Sequence, residues 1–193
     1  MTRRRRSEVL DAHHFHAVRF YKDSRELCDI VAKFIIEGLH AGQPAVAIVT
    51  TEHRGTLLDL LDERGAAVET ILDNGTLRLF DAEATLAEFM NGGSPDPARF
   101  RRAVQPVLAS AAKARPGAVV RAYGEMVNIL WQRGLGSAAT RLETLWNDLA
   151  RTENFALLCG YSMGNFYKDA AVGEITRQHS HLLADTGEAA TIN

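Results

Sequence analysis

Two hydrophobic periods alternate along most of this chain. His16–Tyr21 (HAVRFY) is a short apolar run bounded by polar residues and reads as a strand. Beyond it Leu27, Ile30, Val31, Phe34, Ile35 and Leu39 recur at three- and four-residue steps, which predicts an amphipathic helix from Arg25 to about His40. Asp23 or Ser24 can cap this helix, Ala41-Gly42 ends it, and Pro44 forbids its continuation. Ala45–Thr50 (AVAIVT) is continuously apolar and β-branched, as suits a central parallel strand covered on both faces. Thr51 and Glu52 then lead into a predicted helix, Arg54–Arg64, stopped by Gly65.

The pattern continues to the far end. Val68–Leu72 reads as a short strand or edge element, and Asp73-Asn74-Gly75 as a turn. Leu77–Phe80 is the next strand, and Asp81 can cap a helix over Ala82–Met90. Asn91–Pro97 (NGGSPDP) is the one clear loop. Helices are predicted at Ala98–Ala114, Glu125–Gln132 and Ala138–Arg151, the last turning Leu142, Leu145, Trp146 and Leu149 inward. Val119–Tyr123 and Phe155–Gly160 read as buried strands, and a short helix at Val172–Ala184 precedes a frayed end. This alternation implies an α/β fold: a single three-layer domain with a mostly parallel central sheet of about five to seven strands flanked by helices. The expected divisions are a disordered basic arm over residues 1–12, a folded domain over 13–170, and a C-terminal helix and tail over 171–193.

Composition narrows the class of partner. A chain of 193 residues can bury a sizeable single core. Its formal charge of -2 includes four consecutive arginines, Arg3–Arg6, so the rest carries -6. An acidic body argues against nucleic acid as a partner, because that surface needs a basic face. No apolar run is long enough for a signal peptide or a membrane span. Cys28 and Cys159 stand alone inside apolar patterns and read as buried free thiols, which places the protein in the cytoplasm.

Ligands of open α/β sheets bind beyond the carboxyl ends of the strands. The residues expected to line such a site here are Tyr21, Glu52, His53, Asp81, Tyr123 and Glu125. This rim is rich in carboxylates and aromatics and poor in cations, so it suits a small neutral or cationic ligand. Glu125 stands out, because it follows a glycine at a strand-to-helix junction in VVRAYGEMV. A carboxylate there can act as a base or orient water, or it can simply favour the positive end of its helix. His13, His14 and His16 are imidazoles without a cysteine or acid at matching spacing, so no metal site is expected from them. His179 and His181 are expected to be exposed. Neither G-x-S-x-G nor G-x-G-x-x-G occurs, and GYSMG at Gly160–Gly164 is only a loose approximation of the first. No cofactor and no catalytic residue are expected.

The turn after the first strand, FYKDSREL, has no glycine. A phosphate-cradling loop needs glycines so that backbone N–H groups can converge on the phosphate, and a lysine at the helix start. Here the helix opens on Asp23, Ser24 and Glu26, whose two carboxylates repel an anion.

Several separated blocks, HAVRFY, EGLHAGQPAVAIVTTEHR, LRLFDAEATLAEFM, PDPARF, RAYGEMVNILWQRG, LETLWNDLA and FALLCGYSM, together resemble the MEDS family, the methanogen/methylotroph DcmR-like sensory domain. The resemblance spans Phe15 to Phe166. It implies a RecA/KaiC-like fold without a functional P-loop, used as a non-enzymatic signal-input module for small molecules such as hydrocarbon derivatives. It also implies partners of the histidine kinase, transcription regulator or anti-sigma type, and allows a homo-oligomer. Two other readings stay open: a divergent ATP-binding switch or weak ATPase, and a ligand-free protein-interaction module.

Overall fold

The computed structural model describes residues 15–165, 171–183 and 189–191. The expected basic arm, with His13 and His14, lies outside the described residues.

Seven strands form one sheet in the order β3-β2-β6-β7-β1-β8-β9. They are β1 (His16–Tyr21), β2 (Ala45–Val49), β3 (Leu77–Asp81), β6 (Val120–Gly124), β7 (Phe155–Ser162), β8 (His181–Leu183) and β9 (Ala189–Thr191). Every described pairing in this sheet is parallel except β8 with β9. A hairpin of two-residue strands, β4 (Met90–Asn91) and β5 (Ser94–Pro95), stands apart.

Strand alternation divides the core into two layers. Val18 of β1 and Phe155, Leu157, Cys159 and Tyr161 of β7 face a cluster filled by α4 (Ala82–Phe89), α5 (Pro97–Ala112), α6 (Met126–Gln132) and α7 (Gly136–Ala150). Ala17 and Tyr21, with Ala156 and Leu158, face the opposite cluster, closed by α1 (Ser24–His40) and α2 (Thr51–Glu63). The α1 stripe buries Leu27, Val31, Phe34 and Ile35 completely or nearly so, and each such side chain contributes about 1.5–3 kcal/mol relative to exposure.

Three predicted elements change. Val68–Leu72 is helical, within α3 (Val68–Asp73), because Val68, Ile71 and Leu72 have the i, i+3, i+4 spacing that lets one turn of helix pack inward. The predicted loop Asn91–Pro97 contains the β4–β5 hairpin, whose turn residues Gly92 and Gly93 have φ of 56° and 84°, as a two-residue type I′ connection requires. The C-terminal helix is shorter than expected, α8 (Ala171–Arg177), and the chain then enters β8 beside β1. His179 is consequently buried at 5% exposure, which corrects the expectation of an exposed histidine, and His181 is half-buried.

Candidate functional site

Three strand ends converge at the carboxyl edge of the sheet. β1 ends at Tyr21 and reaches α1 through only two residues, Lys22 and Asp23. Asp23 is the helix cap, accepting from the Glu26 N–H at 2.9 Å. The Ser24 hydroxyl is therefore free of capping duty and faces α2. Thr50 caps α2 and sets His53 one turn into it, inward. Glu125 follows β6 at the start of α6, but its side chain makes no capping bond. Instead Oε2 accepts from the Thr50 N–H at 2.9 Å, and Oε1 lies 2.8 Å from His53 Nδ1 and 3.3 Å from the Tyr123 hydroxyl.

The result is a relay. A carboxylate only accepts, so His53 Nδ1 carries the hydrogen toward Glu125, and Nε2 lies 2.9 Å from Ser24 Oγ. Ser24 Oγ in turn reaches Glu52 Oε1 at 3.4 Å. Across the cleft the Asn128 amide donates to the Tyr21 hydroxyl at 2.9 Å and accepts from the Ser162 N–H at 3.0 Å. These groups surround a cavity of about 210 Å³. The Glu125 hydrogen bond raises the His53 pKa above its ordinary value against the opposing effect of burial. Burial, followed by the Glu125 charge, pushes the Tyr21 and Tyr123 hydroxyls well up, so both stay protonated donors.

Of the six residues expected to form the site, Tyr21, Glu52, His53 and Glu125 line this cavity. Tyr123 is buried outside the lining, and its hydroxyl donates to Glu125 Oε1 at 3.3 Å. Asp81 sits on the β3 side, where it caps α4 through the Ala84 N–H at 2.8 Å and accepts from Thr51 Oγ1 at 3.2 Å, and it does not line the cavity. Ser24 and Asn128 were not among the six. Ser24 is hidden in sequence by a neighbour that is an equally good cap. Asn128 is legible only as a lone amide inside the apolar run MVNILW.

Among the described residues no helix is long and apolar enough to cross a membrane. Comparison with solved structures finds KaiC-like architecture. An uncharacterized protein, PH0321, from Pyrococcus horikoshii, solved in complex with an unknown peptide, is 14% identical with a TM-score of 0.61, covering 93% of this chain and 84% of its own. The KaiC-like protein PH0186 from Pyrococcus horikoshii OT3 is also 14% identical, with a TM-score of 0.60 and coverage of 87% and 70%. At that identity the likeness establishes the fold alone. No curated protein matches the sequence. The family model described as methanogen/methylotroph, DcmR sensory domain matches residues 15–180, and the chain belongs to that MEDS family of sensory domains.

Proposed function

We propose that this sensory domain is a cytoplasmic, non-enzymatic input module that takes a small neutral or cationic organic ligand into the Tyr21–Ser24–His53–Glu125–Asn128 cavity. The observation that carries this reading is Glu125. A carboxylate with a side-chain exposure of only 3% is held by three donors at the back of an opening that four polar side chains share. The cavity, at about 210 Å³, is smaller than the roughly 300–1,000 Å³ typical of drug-sized ligands, which favours a molecule of a few heavy atoms. A bound hydroxyl or amine would compete with Ser24 for His53 and with Asn128 for Tyr21. Those exchanges would bias how α1, α2 and α6 meet, and a histidine kinase or another regulator would read the change.

The two-residue connection Lys22-Asp23 favours this over a nucleotide switch. Its helix start is occupied by the Asp23 carboxylate, where a phosphate would otherwise accept backbone N–H groups. A second reading comes from the order Ser24–His53–Glu125, which matches the nucleophile–base–acid order of acyl-transfer enzymes. Glu52 opposes it, because it draws on the Ser24 hydroxyl and adds negative charge where an oxyanion would form.

The test is a thermal-shift screen of small alcohols, amines and amides against wild type, S24A and E125Q. A stabilising compound whose effect disappears in both variants supports the site, whereas an effect unchanged in both overturns it. Calorimetry with magnesium–ATP decides the nucleotide reading, for which a Kd below roughly 100 μM (about -5.5 kcal/mol) is the threshold. Labelling of Ser24 by a fluorophosphonate would favour the acyl-transfer reading. Concentration-dependent association with no response to any compound would favour the interaction module.

A further inference from the structure

On the other face of the sheet, four buried side chains from four separate segments meet. His16 opens β1, Cys159 lies in β7, Glu143 points in from α7, and His179 follows α8. We propose that His16, Glu143, Cys159 and His179 bind one divalent transition-metal ion, with zinc the best match. This site is independent of the carboxyl-edge cavity and of the function proposed for it.

The ligand types and their spacing carry the proposal. One donor atom from each residue lies within 4.8 Å of every other. His16 Nε2 is 3.2 Å from Glu143 Oε2 and 3.4 Å from Cys159 Sγ, while Cys159 Sγ is 3.6 Å from Glu143 Oε2. His179 Nε2 is 3.3 Å from Glu143 Oε1. Zinc bonds of about 2.0–2.3 Å to nitrogen, oxygen and sulfur give tetrahedral edges of about 3.3–3.6 Å. His16 Nε2, Glu143 Oε2 and Cys159 Sγ sit 3.2–3.6 Å apart, close to three of those edges, and the His179 donor lies within 4.8 Å of each. Two imidazoles, a thiolate and a carboxylate form a borderline-soft set that suits zinc and cobalt better than magnesium or calcium.

The surrounding shell aims the donors inward. The Ile175 carbonyl, which can only accept, lies 2.7 Å from His179 Nδ1, so that nitrogen carries the hydrogen and Nε2 is the free donor atom. His179 Nε2 is fully buried and makes no hydrogen bond among the described residues. Asn147 Oδ1 lies 2.8 Å from His16 Nδ1, and the Asn147 amide group is oriented by donating to the Gln178 carbonyl at 2.8 Å. The Tyr161 hydroxyl donates to Glu143 Oε1 at 2.6 Å. Carbonyl-oriented histidines and a hydrogen-bonded carboxylate are the usual outer shell of a metal site. A cavity of about 350 Å³ lined by His16, Asn147, Trp146 and His179 provides an entry path. An ion held here would tie the segment entering β8 to β1, α7 and β7.

The test uses the full chain, stripped with EDTA and titrated with cobalt(II). The expected result is one equivalent giving the intense visible bands of tetrahedral cobalt, with near-ultraviolet thiolate-to-cobalt charge transfer, displaced by zinc. Only Cys28 and Cys159 can supply a thiolate. C28S should keep the charge-transfer band and C159S should lose it. N147A, which removes no ligand, should weaken cobalt binding about 10–100-fold. Circular dichroism of each stripped variant checks folding, and the C28S result assigns the thiolate even if C159S does not fold. Absence of tetrahedral bands in the wild type, or loss of charge transfer in C28S, would overturn the site and leave a buried hydrogen-bonded ion network.

Discussion

His53 Nδ1 lies 2.8 Å from Glu125 Oε1 although 72 positions separate the two residues. The contact follows from sheet order. β2 and β6 are parallel neighbours, with Ile48 opposite Gly124, so the residues just past their carboxyl ends face each other. The Glu125 N–H donates to the Ile48 carbonyl at 3.0 Å, which fixes the junction, and the carboxylate then has His53 and the Thr50 N–H within reach.

Replacing Glu125 by glutamine keeps its shape and removes its charge. The amide cannot serve the Thr50 N–H, the His53 ring and the Tyr123 hydroxyl together as acceptors. E125Q should lose about 1.5–3 kcal/mol, the range for hydrogen bonds to a charged group. Urea denaturation measures this directly, and an unchanged midpoint would show that Glu125 is not held as described.

The same pair predicts a pH dependence. The His53 pKa is raised in the fold, chiefly by the Glu125 hydrogen bond. A raised folded pKa means that the native state binds more protons than the unfolded chain as pH rises past about 6.5. The stabilisation is complete below that value and is lost as pH climbs through the folded pKa. Unfolding free energy should therefore fall more steeply between about pH 6 and pH 8 in the wild type than in H53Q. Equal slopes in the two proteins would contradict the pairing.

How much of this could be read in the sequence depends on how local each feature is. β1 and β2 are visible because their apolar runs are bounded by turn residues, and α1 because six apolar positions keep one helical phase. Val68–Leu72 misleads because its β-branched residues favour a strand while their spacing favours a helix. Glu125 is visible at its strand-to-helix junction, but its partner His53 is not identifiable until the order of β2 and β6 is known. Glu143 carries a legible signal of another kind. It lies on the inward face of α7 with Ala139, Leu142 and Trp146, where a buried charge demands partners. Those partners, His16, Cys159 and His179, come from segments that only the folded sheet brings together.

Asn128 supports the site without carrying charge. It is 5% exposed, and it holds the Tyr21 hydroxyl and the Ser162 N–H at once. N128A leaves both without this partner and opens a small void. A loss of about 1–3 kcal/mol is expected. Y21F removes only one of the two bonds, so its cost should be smaller. A thermal or urea series in which Y21F loses more stability than N128A would mean that the amide is not the organising group.

Two helical glycines should respond in opposite directions to alanine. Gly55 in α2 is exposed, and a Cβ there would meet nothing within 4 Å. G55A should therefore gain up to about 1 kcal/mol from helix propensity alone. Gly38 in α1 faces the stem of Arg121 from β6, and a Cβ would collide with Arg121 Cγ and lie 3.2 Å from both Cδ and Nε. Arg121 has little room to retreat. Its Nε donates to Gln43 Oε1 at 2.7 Å, and its guanidinium lies 4.7 Å from the Phe34 ring centre. Overpacking of this kind costs about 1–3 kcal/mol, enough to outweigh the propensity gain over most of that range. Denaturant midpoints of the two variants should thus move apart, G55A upward and G38A downward. Stabilisation by both would mean that Arg121 swings clear and that α1 does not depend on glycine for its close approach to the sheet.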